Sequence, residues 1–191
     1  TYYNPSNATG AAAVQNTANC YVISAPGYYM IPLVYGNAIK NSQTNSNAYI
    51  SRAPVTKLQF GTTTTIKDVI LHNFVDHQSA KITSPWIEKT NGGANNGIDG
   101  AEVTWSDESN LVELANSPIY HDASGNAFVK FEVKKDNLKS GNAVISVKKG
   151  NTILWSWHLW FAPKNALDKI TVTNNQGKKY DFTRETLGWK P

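Results

Sequence analysis

The side chains best suited to chemistry are few and scattered. There are four histidines, His72, His77, His121 and His158. None lies four residues from another, the spacing that puts two imidazoles on one helical face for zinc. His72 and His77 are five apart, and in a strand an odd spacing sends two side chains to opposite faces. Asp107 and Glu108 follow Trp105 at a turn. Asp76, Asp99, Asp107 and Asp122 would hold calcium only if their loops converged, and none belongs to the D-x-D-x-D-G pattern. A glycosidase needs two carboxylates at a set separation, and the spacing singles out no pair. G-x-S-x-G, P-loop and dinucleotide fingerprints are absent. Cys20 is the only cysteine, so no internal disulfide forms. No histidine is near it in sequence, and the thiol reads as a small buried hydrophobe. The expectation is a chain that is not an enzyme, with no catalytic residues, no metal and no cofactor.

Tryptophan is concentrated instead. Three of the six fall within Ile153-Leu154-Trp155-Ser156-Trp157-His158-Leu159-Trp160-Phe161. In a strand, Trp155, Trp157, Leu159 and Phe161 share one face, and Leu154, Ser156, His158 and Trp160 share the other. Both faces are largely apolar, so this strand is expected to be central and covered on both sides. A Trp removes up to about 250 Å² from water when buried. The competing reading is a sugar-binding platform, with open indole faces stacked on pyranose rings and polar groups beside them. Its candidate ligand-binding residues are Trp157, His158 and Trp160, together with Trp105 and Trp86. The last two stand alone in the sequence and otherwise read as plugs in the core.

These residues need a scaffold. The chain has 191 residues, 40% hydrophobic and 11% aromatic, which suits one substantial core. Disorder is excluded by the aromatic content. A net charge of +4 supplies no basic stripe for nucleic acid. No run of about 18 apolar residues exists to span a membrane as a helix. Asn, Thr and Ser number 21, 17 and 14; Asn and Ser favour turns and Thr favours strands.

Short strands are predicted at 20–23, 28–35, 67–74, 101–105, 111–114, 127–133, 143–147, 152–161, 170–173 and 179–182. Lys149-Gly150-Asn151 closes one hairpin and residues 174–177 another. The expected fold is an all-β sandwich, immunoglobulin/fibronectin-like or transthyretin-like, with long polar loops at 41–47 and 90–100. Residues 1–18 are expected to be a linker or lead-in. Residues 19–191 are expected to be a single β-sandwich domain, the C-terminal part of a longer chain.

Several segments resemble one family. Asn19-Cys20-Tyr21-Val22-Ile23-Ser24-Ala25-Pro26-Gly27-Tyr28-Tyr29, followed by Pro32-Leu33-Val34-Tyr35-Gly36-Asn37-Ala38-Ile39-Lys40, is similar to a stretch of the fimbrillin-like proteins of the Bacteroidales. So are Gly141-Asn142-Ala143-Val144-Ile145 and the segment around Trp155-Ser156-Trp157-His158. Arg184-Glu185-Thr186-Leu187-Gly188-Trp189 resembles a degraded Asp-Arg-Asn-Leu-Gly motif of that family. The resemblance implies a non-enzymatic structural or adhesive subunit of bacterial fimbriae or cell surface, extracellular and outer-membrane associated. It implies the C-terminal domain of a minor or tip pilin. The implied partners are other fimbrial subunits, joined by strand donation, and a host glycan or protein receptor. No catalytic residue is implied.

Overall fold

The computed structural model describes residues 1–59 and 61–190, with the side chains of 53–59 and 63–72 left out of the description. Among the described residues thirteen strands run in chain order. They are β1 (Cys20–Ile23), β2 (Gly27–Pro32), β3 (Ile39–Lys40), β4 (Gln43–Thr44), β5 (Ile50–Gln59), β6 (Thr62–Asn73) and β7 (Gly100–Ser106). They continue with β8 (Glu113–His121), β9 (Ala127–Val133), β10 (Gly141–Lys149), β11 (Thr152–Phe161), β12 (Lys169–Thr173) and β13 (Lys179–Thr183). The chain is all-β and sandwich-like, as its alternation and turn residues predict.

Two sheets form the body. One has the order β1-β11-β10-β7, with β1 parallel to β11 and the other pairs antiparallel. The other has the order β2-β9-β8 and is antiparallel throughout. Their facing residues share one apolar cluster. Ile145, Val147, Trp157, Leu159 and Phe161 enter it from the first sheet, and Tyr29, Ile31, Val129, Phe131 and Val133 from the second. Strand period two decides this sorting. Each fully buried aliphatic or Phe side chain contributes about 1.5–3 kcal/mol. On β9, Lys130 and Glu132 point outward as expected, and Phe128 joins them on that outer face.

The expectation that residues 1–18 form a loose lead-in is corrected. Tyr3 pairs with the edge of β2: its N–H donates to Tyr28 O at 2.8 Å, and Met30 N–H donates to Tyr3 O at 2.9 Å. Asn4, Ser6, Asn7 and Thr17 are buried. Asn4 Oδ1 accepts from the backbone and hydroxyl of Ser6 at 3.0 and 2.8 Å, and Asn7 Nδ2 donates to Ala13 O at 2.8 Å. Short polar side chains here satisfy backbone groups that no strand partner reaches. The result is a packed strap.

Among the described residues, the two hairpins β5–β6 and β12–β13 pair only with themselves. The polar loop at 90–100 is fastened to the body. Glu88 Oε1 accepts from the backbones of Gly97 and Ile98 at 3.1 and 2.8 Å, while Oε2 meets His121 Nε2 of β8 at 2.7 Å. Asn95 Nδ2 donates to Asp76 Oδ2 at 3.1 Å and to the Tyr35 hydroxyl at 3.3 Å.

Candidate functional site

Residues 167–189 carry seven of the fifteen large hydrophobic side chains exposed among the described residues. Register explains how. In the β12–β13 hairpin, Ile170 pairs with Phe182 and Val172 with Tyr180. These four side chains therefore lie on one face, and they are 46, 57, 50 and 49% exposed. Lys169, Thr171, Asp181 and Thr183 lie on the other. Asp181 accepts there from Lys169 Nζ at 3.0 Å and from the Thr171 hydroxyl at 2.8 Å. Those two donors hold its carboxyl below the usual range. The hairpin thus has an ordinary solvated face and an apolar face that none of the described residues covers.

The base of the hairpin is fixed to the body. Glu185 N–H donates to Ala166 O at 3.0 Å and Arg184 N–H to Asp168 O at 3.1 Å. Ala166 is buried in a small second cluster with Trp160 and Ala162, backed by Cys20 and Val22, outside the main core. The chain then crosses the four-stranded sheet on its outer side. Trp160 Nε1 donates to Trp189 O at 2.9 Å. Asn142 Nδ2 donates to Gly188 O at 3.0 Å and to Asp107 Oδ2 at 2.9 Å. With its amide nitrogen committed to two acceptors, Asn142 presents Oδ1 to His158, whose Nε2–H donates at 2.7 Å. Glu108 is paired with both Lys139 and Lys190. Gly188 has φ +78°, a conformation that favours glycine.

Electrostatics follow from these contacts. The hydrogen bonds from Lys139 and Lys190 pull the Glu108 carboxyl down to about 2. Burial alone would raise Asp107, but the Asn142 side chain and backbone and the Lys190 charge leave it below its ordinary value. Burial lowers His158, against the opposing pull of Asp107. The imidazole is therefore neutral at pH 7 and serves as a donor. The arrangement is a clamp that binds the C-terminal segment.

The five ligand-binding candidates do not converge. Trp157 is 1% exposed in the main core and Trp160 is 0% exposed beneath the clamp. The platform expectation for these two is corrected, because a buried indole offers no face to a sugar. His158 is half-buried within the clamp network. Trp105 is 53% exposed on the edge strand β7, so its expected role as a core plug is also corrected. Trp86 is half-buried at the other sheet, edge-on to Phe128 with ring centroids 6.0 Å apart and with Lys89 Nζ 5.5 Å from its own centroid.

The carboxylates brace their own loops. Asp76 accepts from Gln78 and Ala80, Asp99 from Gly150, and Asp122 from Ser124 and Asn126. Among the described residues no group of three His, Cys, Asp or Glu side chains is placed to hold a metal ion. The His72 side chain lies outside the described residues. Cys20 is half-buried, and burial pushes its thiol up to about 11.

The hairpin itself is legible from Ile170, Val172, Tyr180 and Phe182. The Asn142–Gly188 and Trp160–Trp189 contacts join residues 46 and 29 positions apart and leave no local pattern. No helix of the described residues is long and apolar enough to cross a membrane. Comparison with protein-family models, with curated proteins and with solved structures finds no match for this chain.

Proposed function

We propose that this chain is a non-enzymatic structural and adhesive subunit of bacterial fimbriae or of the bacterial cell surface, extracellular and outer-membrane associated. The uncovered apolar face of the β12–β13 hairpin is the observation that carries this reading. A two-stranded hairpin alone is marginal in water, and a half-exposed apolar face of this kind marks an interaction surface. The partner is a neighbouring subunit whose sheet covers Ile170, Val172, Tyr180 and Phe182. Main-chain pairing along the hairpin edge supplies affinity, and pockets for alternate side chains set the register. The clamp anchors the hairpin base so that tension passes into β10 and β11. The resemblance to fimbrillin-like proteins points the same way.

The test is fractionation of cells that express the full-length parent. The parent is expected in the fimbrial fraction. The double variant Ile170→Asp, Phe182→Asp is expected to fold and to be missing from that fraction. A parent that never reaches the fimbriae, or a double variant incorporated as the parent is, overturns the reading.

A further inference from the structure

The outer face of the three-stranded sheet, opposite the clamp, carries a feature that assembly through the hairpin does not use. Lys130 of β9 is half-buried between two tyrosines. Its Nζ lies 3.8 Å from the ring centroid of Tyr120 and 4.7 Å from that of Tyr2. Two ring faces grip the cation. Among the described residues this ammonium makes no hydrogen bond or ion pair, so an N–H not aimed at either ring is open to an acceptor from outside.

Lys130 lines a cleft of about 320 Å³, together with Tyr120, Phe128, Met30 and Asp122 and the turn at residues 10–12. That volume is at the small end of the range for ligand pockets, roughly 300–1,000 Å³. Phe128 and Met30 form an apolar floor, and both are buried. Phe128 is held by Trp86 behind it and Tyr120 beside it, with centroids 6.0 and 6.2 Å away. Asp122 supplies the complementary acceptor. Its Oδ1 accepts two backbone N–H groups, at 2.8 and 2.9 Å, but its Oδ2 accepts only from Asn126 Nδ2, at 2.9 Å. One lone pair of Oδ2 is open. Burial would raise this carboxyl, but the Asn126 and Ser124 hydrogen bonds and the Lys89 charge keep it below its ordinary value, so it is ionised at neutral pH.

We propose that this cleft binds a neutral pyranose unit of a glycan. The C–H face of the ring rests on the exposed Tyr120 side chain, above the buried Phe128 and Met30. One hydroxyl accepts from Lys130 Nζ and another donates to Asp122 Oδ2. One positive and one negative side chain line the wall, so their formal charges cancel, which fits an uncharged ligand rather than a uronic, sialic or sulfated sugar. Hydroxyls both donate and accept, so a single sugar ring answers the ammonium and the carboxylate together. The site is independent of the hairpin reading, and either can fail alone.

The test is saturation-transfer NMR and calorimetry on the whole chain. The probes are methyl glycosides of glucose, galactose, mannose and N-acetylglucosamine, with 3′-sialyllactose and a sulfated heparin disaccharide as charged probes. At least one neutral glycoside is expected to bind with Kd of about 10 mM or tighter, with saturation strongest at its ring C–H protons. Binding is expected to fall about tenfold or more in Tyr120→Ala and in Lys130→Met, and to stay within about threefold in Tyr120→Phe, which keeps the ring. Affinity for the neutral glycoside is expected to change less than about twofold between ~50 and ~500 mM salt, because no net ion pair is screened. Failure of all four glycosides, binding confined to the charged probes, or binding that survives both Tyr120→Ala and Lys130→Met overturns the proposal.

Discussion

Trp157 and Trp160 are three residues apart and buried for different reasons, and their indole nitrogens separate them. Trp157 Nε1 is buried in the core without a hydrogen-bond partner among the described residues, whereas Trp160 Nε1 donates to Trp189 O. Trp157→Ala is expected to cost about 3–5 kcal/mol, as for a core aromatic. Trp157→Phe should cost much less than that, because it removes an unpaired N–H along with some contact area. Trp160→Phe loses a made hydrogen bond, about 0.5–1.5 kcal/mol in addition to its packing loss. Denaturant melts of the three variants check this order; a Trp157→Ala loss below about 1 kcal/mol would show that the indole is not core. At Cys20, a thiol pushed up to about 11 is almost wholly protonated at pH 7.5. Native Cys20 should therefore react with iodoacetamide far more slowly than the unfolded chain. Equal rates in buffer and in urea would sink that assignment. Residue by residue, sequence reasoning succeeded where a neighbour pattern existed. Trp157 was placed by the alternation around it. Trp105 and Trp86 stand alone, and nothing local told an exposed indole on an edge strand from a buried one.

Among the elements, the clamp is sensitive to pH, and its three groups that titrate in the acid range, Glu108, Asp107 and His158, act in the same direction. Glu108 and Asp107 are held below their ordinary values when folded. Their contribution is present above the unfolded carboxyl range and lost as pH falls toward about 2 for Glu108. His158 is lowered from 6.5, so below that pH the released state binds the proton more readily than the clamped one. In every case the opened form takes up more protons, and acid favours opening. The Trp160 indole N–H resonance reports the bond to Trp189. It should move toward its solvent-exposed position as pH drops from about 6.5, with the last of the change as Glu108 protonates. Glu108→Gln should weaken the clamp at pH 7 and flatten the lowest part of that titration; a resonance that stays fixed down to pH ~3 would refute the coupling. Element by element, the strands with clean alternation, β9, β10 and β11, and the β12–β13 hairpin were all visible in sequence. β8 was read only as far as Leu114, because Asn116, Ser117 and Pro118 interrupt the pattern at a shift in register between Leu114 and Ile119. The N-terminal strap was read as loose because it is rich in Asn and Ser, which give no periodicity when they bond to backbone instead of packing.

Across the whole molecule, the two outer faces of the sandwich are divided. The four-stranded sheet carries the clamp and leads to the hairpin, and the three-stranded sheet carries the Lys130 cleft. A subunit that assembles through one face keeps the other free to meet a surface. The same division predicts uneven stability. β10 and β11 are central in their sheet and rooted in the main core, so their amides should open only with the whole domain. Among the described residues, β12 and β13 pair in a sheet only with each other and have no buried side chain. Hydrogen exchange followed by mass spectrometry should therefore show residues 169–183 exchanging long before residues 141–161 in the isolated chain. On the proposed assembly, the same hairpin peptides should become protected in the fimbrial fraction, because the apolar face would then be covered and the edge groups paired. Exchange at 169–183 as slow as at 141–161 in the isolated chain would mean that the hairpin is already covered and has no face left to offer. Exchange that stays fast after incorporation would mean that the contact between subunits lies elsewhere.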